Sequence, residues 1–217
     1  MLAAPIMVLA IILLTGLLYF ESKPKTKGLL PTKTLLSSLF VITALLQPRP
    51  MPRYYHYMLV GLLLCLVGDV FLAIPGKKTF LGGLIAFLLG HVSYILAFLD
   101  ISRIGLLTWI GCLVIAIVTG TIYFRLKPHL KTMAIPVLCY CIVIAAMLAA
   151  AWSVLADSGR SQPGRTMVFT GALLFYVSDI FVARNRFVKQ EFFNRLVGLP
   201  LYYGGQFLLA FSVGLLG

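Results

Sequence analysis

The 217 residues are 61% hydrophobic, with 18 Lys or Arg set against six Asp or Glu and a mean hydropathy of +1.02. Apolar runs of roughly 17–23 residues recur along the whole length, the signature of a polytopic membrane protein, and leave no room for a soluble domain. The net charge of +12 does not point to nucleic acid, because the basic residues are scattered through short loops rather than gathered on one face.

Eight spans are predicted within a single all-α integral membrane domain covering 1–217: 4–20, 31–47, 57–74, 80–98, 105–124, 132–154, 166–183 and 195–216. The first follows Met-Leu-Ala-Ala-Pro-Ile-Met, which has no basic residue, so it reads as a retained span and not as a cleaved leader. Helix breakers and charges mark the linkers, as in Lys-Pro-Lys-Thr-Lys-Gly at 23–28, Gln-Pro-Arg-Pro-Met-Pro-Arg at 47–53 and Arg-Leu-Lys-Pro-His at 125–129. Loops after the odd-numbered spans hold 13 of the Lys and Arg residues, and those after the even-numbered spans hold five. That bias predicts cytoplasmic odd-numbered loops and outside termini, in the cell (inner) membrane if the chain is bacterial.

One stretch occurs twice. Residues 63–73 read Leu-Leu-Cys-Leu-Val-Gly-Asp-Val-Phe-Leu-Ala and residues 173–183 read Leu-Leu-Phe-Tyr-Val-Ser-Asp-Ile-Phe-Val-Ala, an offset of 110. Each sets one carboxylate, Asp69 or Asp179, inside an apolar run. A charge in hydrocarbon costs about 2.5–3.5 kcal/mol on insertion scales, so such residues face a cavity or a partner. Both lie roughly 7–9 Å inside the cytoplasmic ends of spans 3 and 7, by the 1.5 Å helical rise. The repeat therefore implies two four-helix halves in parallel, with both acids at one depth. The plainer alternative for each acid alone is a helix-end carboxylate snorkelling to the interface, but that requires no matched copy.

Span 4 carries Gly82, Ala86 and Gly90 at spacings of four, the small-residue pattern of close helix packing, followed by His91 and Tyr94 on adjoining positions of one face. Span 8 places Tyr202 and Gln206 four apart, with Gln206 deep enough to need a partner. Lys33, at the start of span 2, and Arg186, in the last loop, serve topology or meet a lipid phosphate. Cys65, Cys112, Cys139 and Cys141 all lie in apolar segments without a C-x-x-C pair and read as small buried hydrophobes. The three histidines are spread over different depths, so no His-based metal site is expected. Glu21 and Glu191 read as solvated loop charges. No G-x-S-x-G, H-E-x-x-H or phosphate-binding loop occurs.

Gly68-Asp69-Val-Phe-Leu, Gly-His91-Val-Ser-Tyr94, Ser178-Asp179-Ile-Phe-Val and Tyr202-Tyr-Gly-Gly-Gln206 together resemble the YhhN-like lysoplasmalogenases, a family of eight-span membrane proteins. The resemblance runs over nearly the whole chain in order and spacing. It implies hydrolysis of the vinyl ether bond of a lysophospholipid, lysoplasmalogen, to a fatty aldehyde and glycerophospho-ethanolamine or -choline. It also implies a catalytic pair at Asp69 and Asp179, with Lys33, His91, Tyr94, Arg186, Tyr202 and Gln206 as supporting or substrate-binding candidates.

The chemistry agrees with that implication. Vinyl ether hydrolysis delivers a proton to carbon and passes through an oxocarbenium ion, and glycosidases meet a similar cation with two carboxyls. Two close carboxylates in a low dielectric do not both ionise easily, so one acid and one anion are expected, with no metal or cofactor. The competing class is a proton-coupled transporter, which also uses parallel repeats and buried acids. Acids near one leaflet rather than at the midplane favour the enzyme, and a purely structural protein leaves them unexplained.

Overall fold

The computed structural model describes residues 3–23 and 27–216; the middle of the predicted 23–28 linker lies outside them. The described chain is helical throughout: α1 Ala3–Glu21, α2 Leu29–Leu45, α3 Pro52–Ala73, α4 Lys77–Ile101, α5 Leu106–Leu130, α6 Ala134–Ala156, α7 Gln162–Ala183 and α8 Phe192–Ser212. A 3₁₀ turn, Lys131–Met133, leads into α6, and a five-residue π-helical turn, Arg184–Val188, follows α7. Apolar sequence folds this way because a helix satisfies its own backbone where water is absent.

Most helices outrun the predicted spans by a few residues, since polar ends continue the ladder past the apolar part. The largest departure is α5. Arg-Leu-Lys-Pro-His was expected to be a linker, yet α5 runs through it to Leu130 with Pro128 inside the helix. Proline interferes with the turn before it, not the residues after it. The helix stops at Lys131, which takes a left-handed φ of 49°.

Among the described residues, five segments are long and apolar enough to cross a membrane: Ala3–Glu21, Pro52–Ala73, Lys77–Ile101, Leu106–Ala156 (α5 and α6 together) and Gln162–Val188. Leu29–Leu45 is apolar but only 17 residues long. The helix α8 is not among them; it spends its composition on Asn194, Arg195, Tyr202, Tyr203 and Gln206, all turned to the interior or the cavity. Outward, the bundle shows Trp109, Leu113, Ile117 and Phe124, each more than 60% exposed, an apolar belt that suits lipid.

The most extensive packing joins α3 to α4 and α7 to α8. Both contacts are made by glycines. A Cβ on Gly90 would meet the Gly61 carbonyl at 3.2 Å, and one on Gly205 would meet the Gly171 carbonyl at 2.7 Å. The tight partner of Gly90 on α4 is Gly83, seven residues earlier, rather than Gly82, which has ordinary clearance. Among helices distant in sequence, α2 packs on α8 and α6 packs on α4.

Candidate active site

Asp69 sits on the interior face of α3, 1% exposed, and two helices supply its partners. From α2, Lys33 Nζ lies 3.1 Å from Asp69 Oδ1, and Ser37 Oγ, one turn on, donates to Oδ2 at 2.6 Å. From α8, Tyr202 OH donates to the same oxygen at 2.6 Å. Two further chains lead into these donors. Tyr94 donates to Gln206 Oε1 at 2.8 Å, and Gln206 Nε2 donates to Tyr202 OH at 3.2 Å. Tyr203 OH lies 3.1 Å from Ser37 Oγ; because the one Ser37 proton goes to Asp69, Tyr203 is the donor there. Both Asp69 oxygens are thus engaged, Oδ1 by the Lys33 ammonium and Oδ2 as the acceptor of two hydroxyl protons.

Asp179 is arranged differently. It is only partly buried, and its hydrogen-bond partner among the described residues is Tyr140 of α6, whose hydroxyl donates to Oδ2 at 2.5 Å. No Lys or Arg pairs with it among the described residues.

Both acids line one cavity of about 110 Å³. Lys33, Thr119, Tyr140, Tyr176 and Tyr202 share its wall, which is mostly apolar: Phe80, Leu84 and Phe87 from α4, Ile122 and Leu126 from α5, Ile144 from α6 and Ile180 from α7. The lining continues with Phe187 of the π-helical turn, the buried Asn194 of α8 and, at the mouth, the partly exposed Arg195. Nearby, Arg184 pairs with Glu191 at 3.1 Å, and Lys189 pairs with the same carboxylate. The Lys189 contact holds the Glu191 carboxyl below the usual range.

His91 is wholly buried, and neither ring nitrogen has a hydrogen-bond partner among the described residues. It packs edge-on against Phe175 at 4.6 Å and Tyr140 at 5.4 Å between ring centroids, so it stands behind the Asp179 ligand rather than on the cavity wall. No three His, Cys, Asp or Glu side chains cluster as metal ligands would among the described residues.

Residues 29–213 match the YhhN family, a stretch that runs from the first residue of α2 past the end of α8 and includes Lys33, both acids and all their donors. The chain belongs to the YhhN family. Relatives of this YhhN chain include lysoplasmalogenase TMEM86A of Bos taurus, 32% identical over 157 residues, or 70% of this chain and 63% of the relative. Lysoplasmalogenase TMEM86B of Sus scrofa is 35% identical over 161 residues, 73% of this chain and 64% of the relative. A lysoplasmalogenase homolog of Dictyostelium discoideum is 26% identical over 203 residues. The matched region thus spans under two thirds of the length of the first two. No solved structure matches the chain significantly.

Of the residues singled out in the sequence of this YhhN protein, Asp69, Lys33, Tyr94, Tyr202 and Gln206 form one connected network. Asp179 joins them at the cavity, and His91 lies behind it. Arg186 is not on the wall; its guanidinium stacks over the Phe80 ring at 4.3 Å. The sequence reading missed Ser37, Tyr140, Tyr203, Arg195 and Glu21. Ser37 had a signal in its place one turn after Lys33, and Arg195 in being a charge at the head of an apolar run. A lone Tyr140 between two cysteines carried none. Glu21 is not the solvated loop charge that its position suggests: its side chain is 15% exposed and pairs with Arg195.

Proposed function

We propose that this integral membrane protein is a lysoplasmalogenase, hydrolysing the vinyl ether of a lysophospholipid to a fatty aldehyde and a glycerophospho-amine. The observation that carries the reading is the unlike setting of two carboxyls on one apolar cavity. Asp69 has a cation and two hydroxyl donors, while Asp179 has, among the described residues, one phenol and no cation. The names of the relatives point the same way.

In this reading Asp179 carries the proton and Asp69 the charge. Asp179 delivers its proton to the vinyl carbon remote from oxygen, leaving an oxocarbenium ion on the adjacent carbon. The Asp69 anion, fixed in place by Lys33, Ser37 and Tyr202, stabilises that cation electrostatically. Water adds to the cation and returns a proton to Asp179. The hemiacetal then collapses, its hydroxyl proton passing to the glycerol oxygen as the carbon–oxygen bond breaks and the aldehyde leaves. An apolar wall suits the alkenyl chain and keeps bulk water away from the cation.

The same reading takes all eight helices as spans, with α2 and α8 completing a bundle whose odd-numbered loops are cytoplasmic. It also takes α1–α4 and α5–α8 as parallel halves. Supporting this, α3 and α7 are offset by 110 residues at both ends, and the second helix of each half packs on the last helix of the other.

The test is aldehyde release by purified protein in detergent, where no gradient can drive transport. Lysoplasmalogen should yield aldehyde, its saturated ether analogue none, and Asp69→Asn and Asp179→Asn should each abolish turnover while remaining folded. Near wild-type release by either variant would remove that residue from the chemistry.

A further inference from the structure

Two cations line the cavity, Lys33 and Arg195. Lys33 is sealed, 5% exposed at its side chain, and committed to Asp69. Arg195 is in the first turn of α8 at the mouth, 29% exposed, with its Nε 3.5 Å from Glu21 Oε2. Glu21 is the last residue of α1, so the pair closes the α1–α8 seam at the same end of the bundle as Lys33 and both acids. The contact uses only the guanidinium Nε. Neither terminal nitrogen of Arg195 has a hydrogen-bond partner among the described residues, and they form the fork that matches two oxygens of a phosphate. The other rim cations are engaged: Arg184 with Glu191 and Asn194, Lys189 with Glu191, and Arg186 on Phe80.

We propose that Arg195 and Glu21 together bind the zwitterionic headgroup of the substrate, Arg195 taking the phosphate and Glu21 the terminal ammonium. This rests on the reading of the cavity as a lysophospholipid site and says which residues read the polar end. The pairing leaves no charge stranded. A phosphodiester anion and an amine separated by two carbons meet a cation and a carboxylate that already touch. A bare phosphate monoester would instead face Glu21 across the fork and be repelled, and a headgroup without phosphate would leave Arg195 with Glu21 alone. The site therefore selects aminoalkyl phosphates over both.

The experiment compares wild type, Arg195→Gln and Glu21→Gln on three vinyl ethers sharing one alkenyl chain, with a phosphoethanolamine, a bare phosphate or a free hydroxyl as headgroup. For Arg195→Gln, the KM of each phosphorylated substrate relative to the hydroxyl substrate should rise about ten-fold or more, the scale of a charge-assisted hydrogen bond. For Glu21→Gln, the phosphoethanolamine KM should rise while the bare-phosphate KM falls. Changes equal across all three headgroups, or none, overturn the proposal. If either single variant melts early, the double variant, which strands no charge, should show no preference among headgroups; a preserved preference also overturns it. Binding of the saturated ether lysophosphatidylethanolamine is measured alongside. Wild type that releases no aldehyde sinks the hydrolase reading alone. The headgroup proposal then stands if Arg195→Gln weakens that binding about ten-fold, and fails if binding is unchanged.

Discussion

Replacing Lys33 by Met tests the electrostatic core of the site. The Nζ–Oδ1 distance is 3.1 Å with both side chains almost fully buried. At that distance and an effective dielectric of about 20, the attraction is about 5 kcal/mol. Removing one partner of a buried pair costs about 3–5 kcal/mol, because the remaining charge is stranded. Asp69 then either stays ionised at that cost or takes up a proton, which in the proposed mechanism removes the anion that faces the oxocarbenium ion. Aldehyde release should fall by at least about 100-fold, the scale of losing one preorganised electrostatic group, and the melting temperature should drop. Adding Asp69→Asn to the Lys33→Met protein removes the stranded charge, so the double variant should melt above Lys33→Met while remaining inactive. Thermal melts of the purified proteins and an aldehyde assay decide the matter. A Lys33→Met protein with wild-type melting and turnover would refute the reasoning, as would a double variant less stable than Lys33→Met.

Tyr140→Phe removes the donor held at 2.5 Å from Asp179 Oδ2; turnover should fall about ten-fold, one hydrogen bond to a charged or charging group, with little change in melting. Gly205→Ala places a Cβ 2.7 Å from the Gly171 carbonyl, where backbone cannot yield, and should destabilise by about 1–3 kcal/mol as overpacking does. Gly204→Ala, whose nearest neighbour is 3.7 Å away, should be neutral in the same melt. In a background free of native thiols, a cysteine at the exposed Lys78 position should resist an impermeant reagent applied to intact cells; labelling from outside would reverse the topology.

Much of the fold was legible because apolar run length is a one-dimensional signal. It located the helices to within a few residues, except where Pro128 was given too much weight as a breaker. It did not show that α8 would be among the most interior helices. Hydropathy measures lipid-facing surface, and α8 has little of it to show. In the site, the repeated acids and the four-residue step from Tyr202 to Gln206 were legible because each is a departure from its surroundings. The Lys33–Asp69 pair was not, since 36 residues separate the two and nothing in one sequence states which face of α2 meets α3. Ser37 was easily passed over for another reason: a serine hydroxyl in an apolar helix has an ordinary occupation, bonding back to its own carbonyl ladder. A lone tyrosine such as Tyr140 reads as an interfacial aromatic, and only the neighbouring carboxylate distinguishes either.

The two acids differ in one informative neighbour. Each accepts a hydroxyl from the helix before its own: Ser37 of α2 donates to Asp69 of α3, and Tyr140 of α6 to Asp179 of α7. One turn before Ser37 stands Lys33; one turn before Tyr140 stands Pro136. Two like carboxyls on one apolar cavity need such an asymmetry, because without it neither is assigned the proton. A cation supplied to one side only makes that assignment. Pro136→Lys would remove the asymmetry by offering Asp179 the same partner from the same step of the helix. The variant should fold, since the position is partly exposed in the first turn of α6 and needs no proline there. With Asp179 held as a carboxylate, it has no proton to give to carbon, so kcat should fall by about 100-fold or more, the upper part of what general acid catalysis contributes. Binding of the saturated ether analogue should persist, because the apolar wall and the mouth are untouched. Wild-type kcat in a folded Pro136→Lys protein would mean that Asp179 does not act as the acid, and the roles of the two aspartates would have to be exchanged.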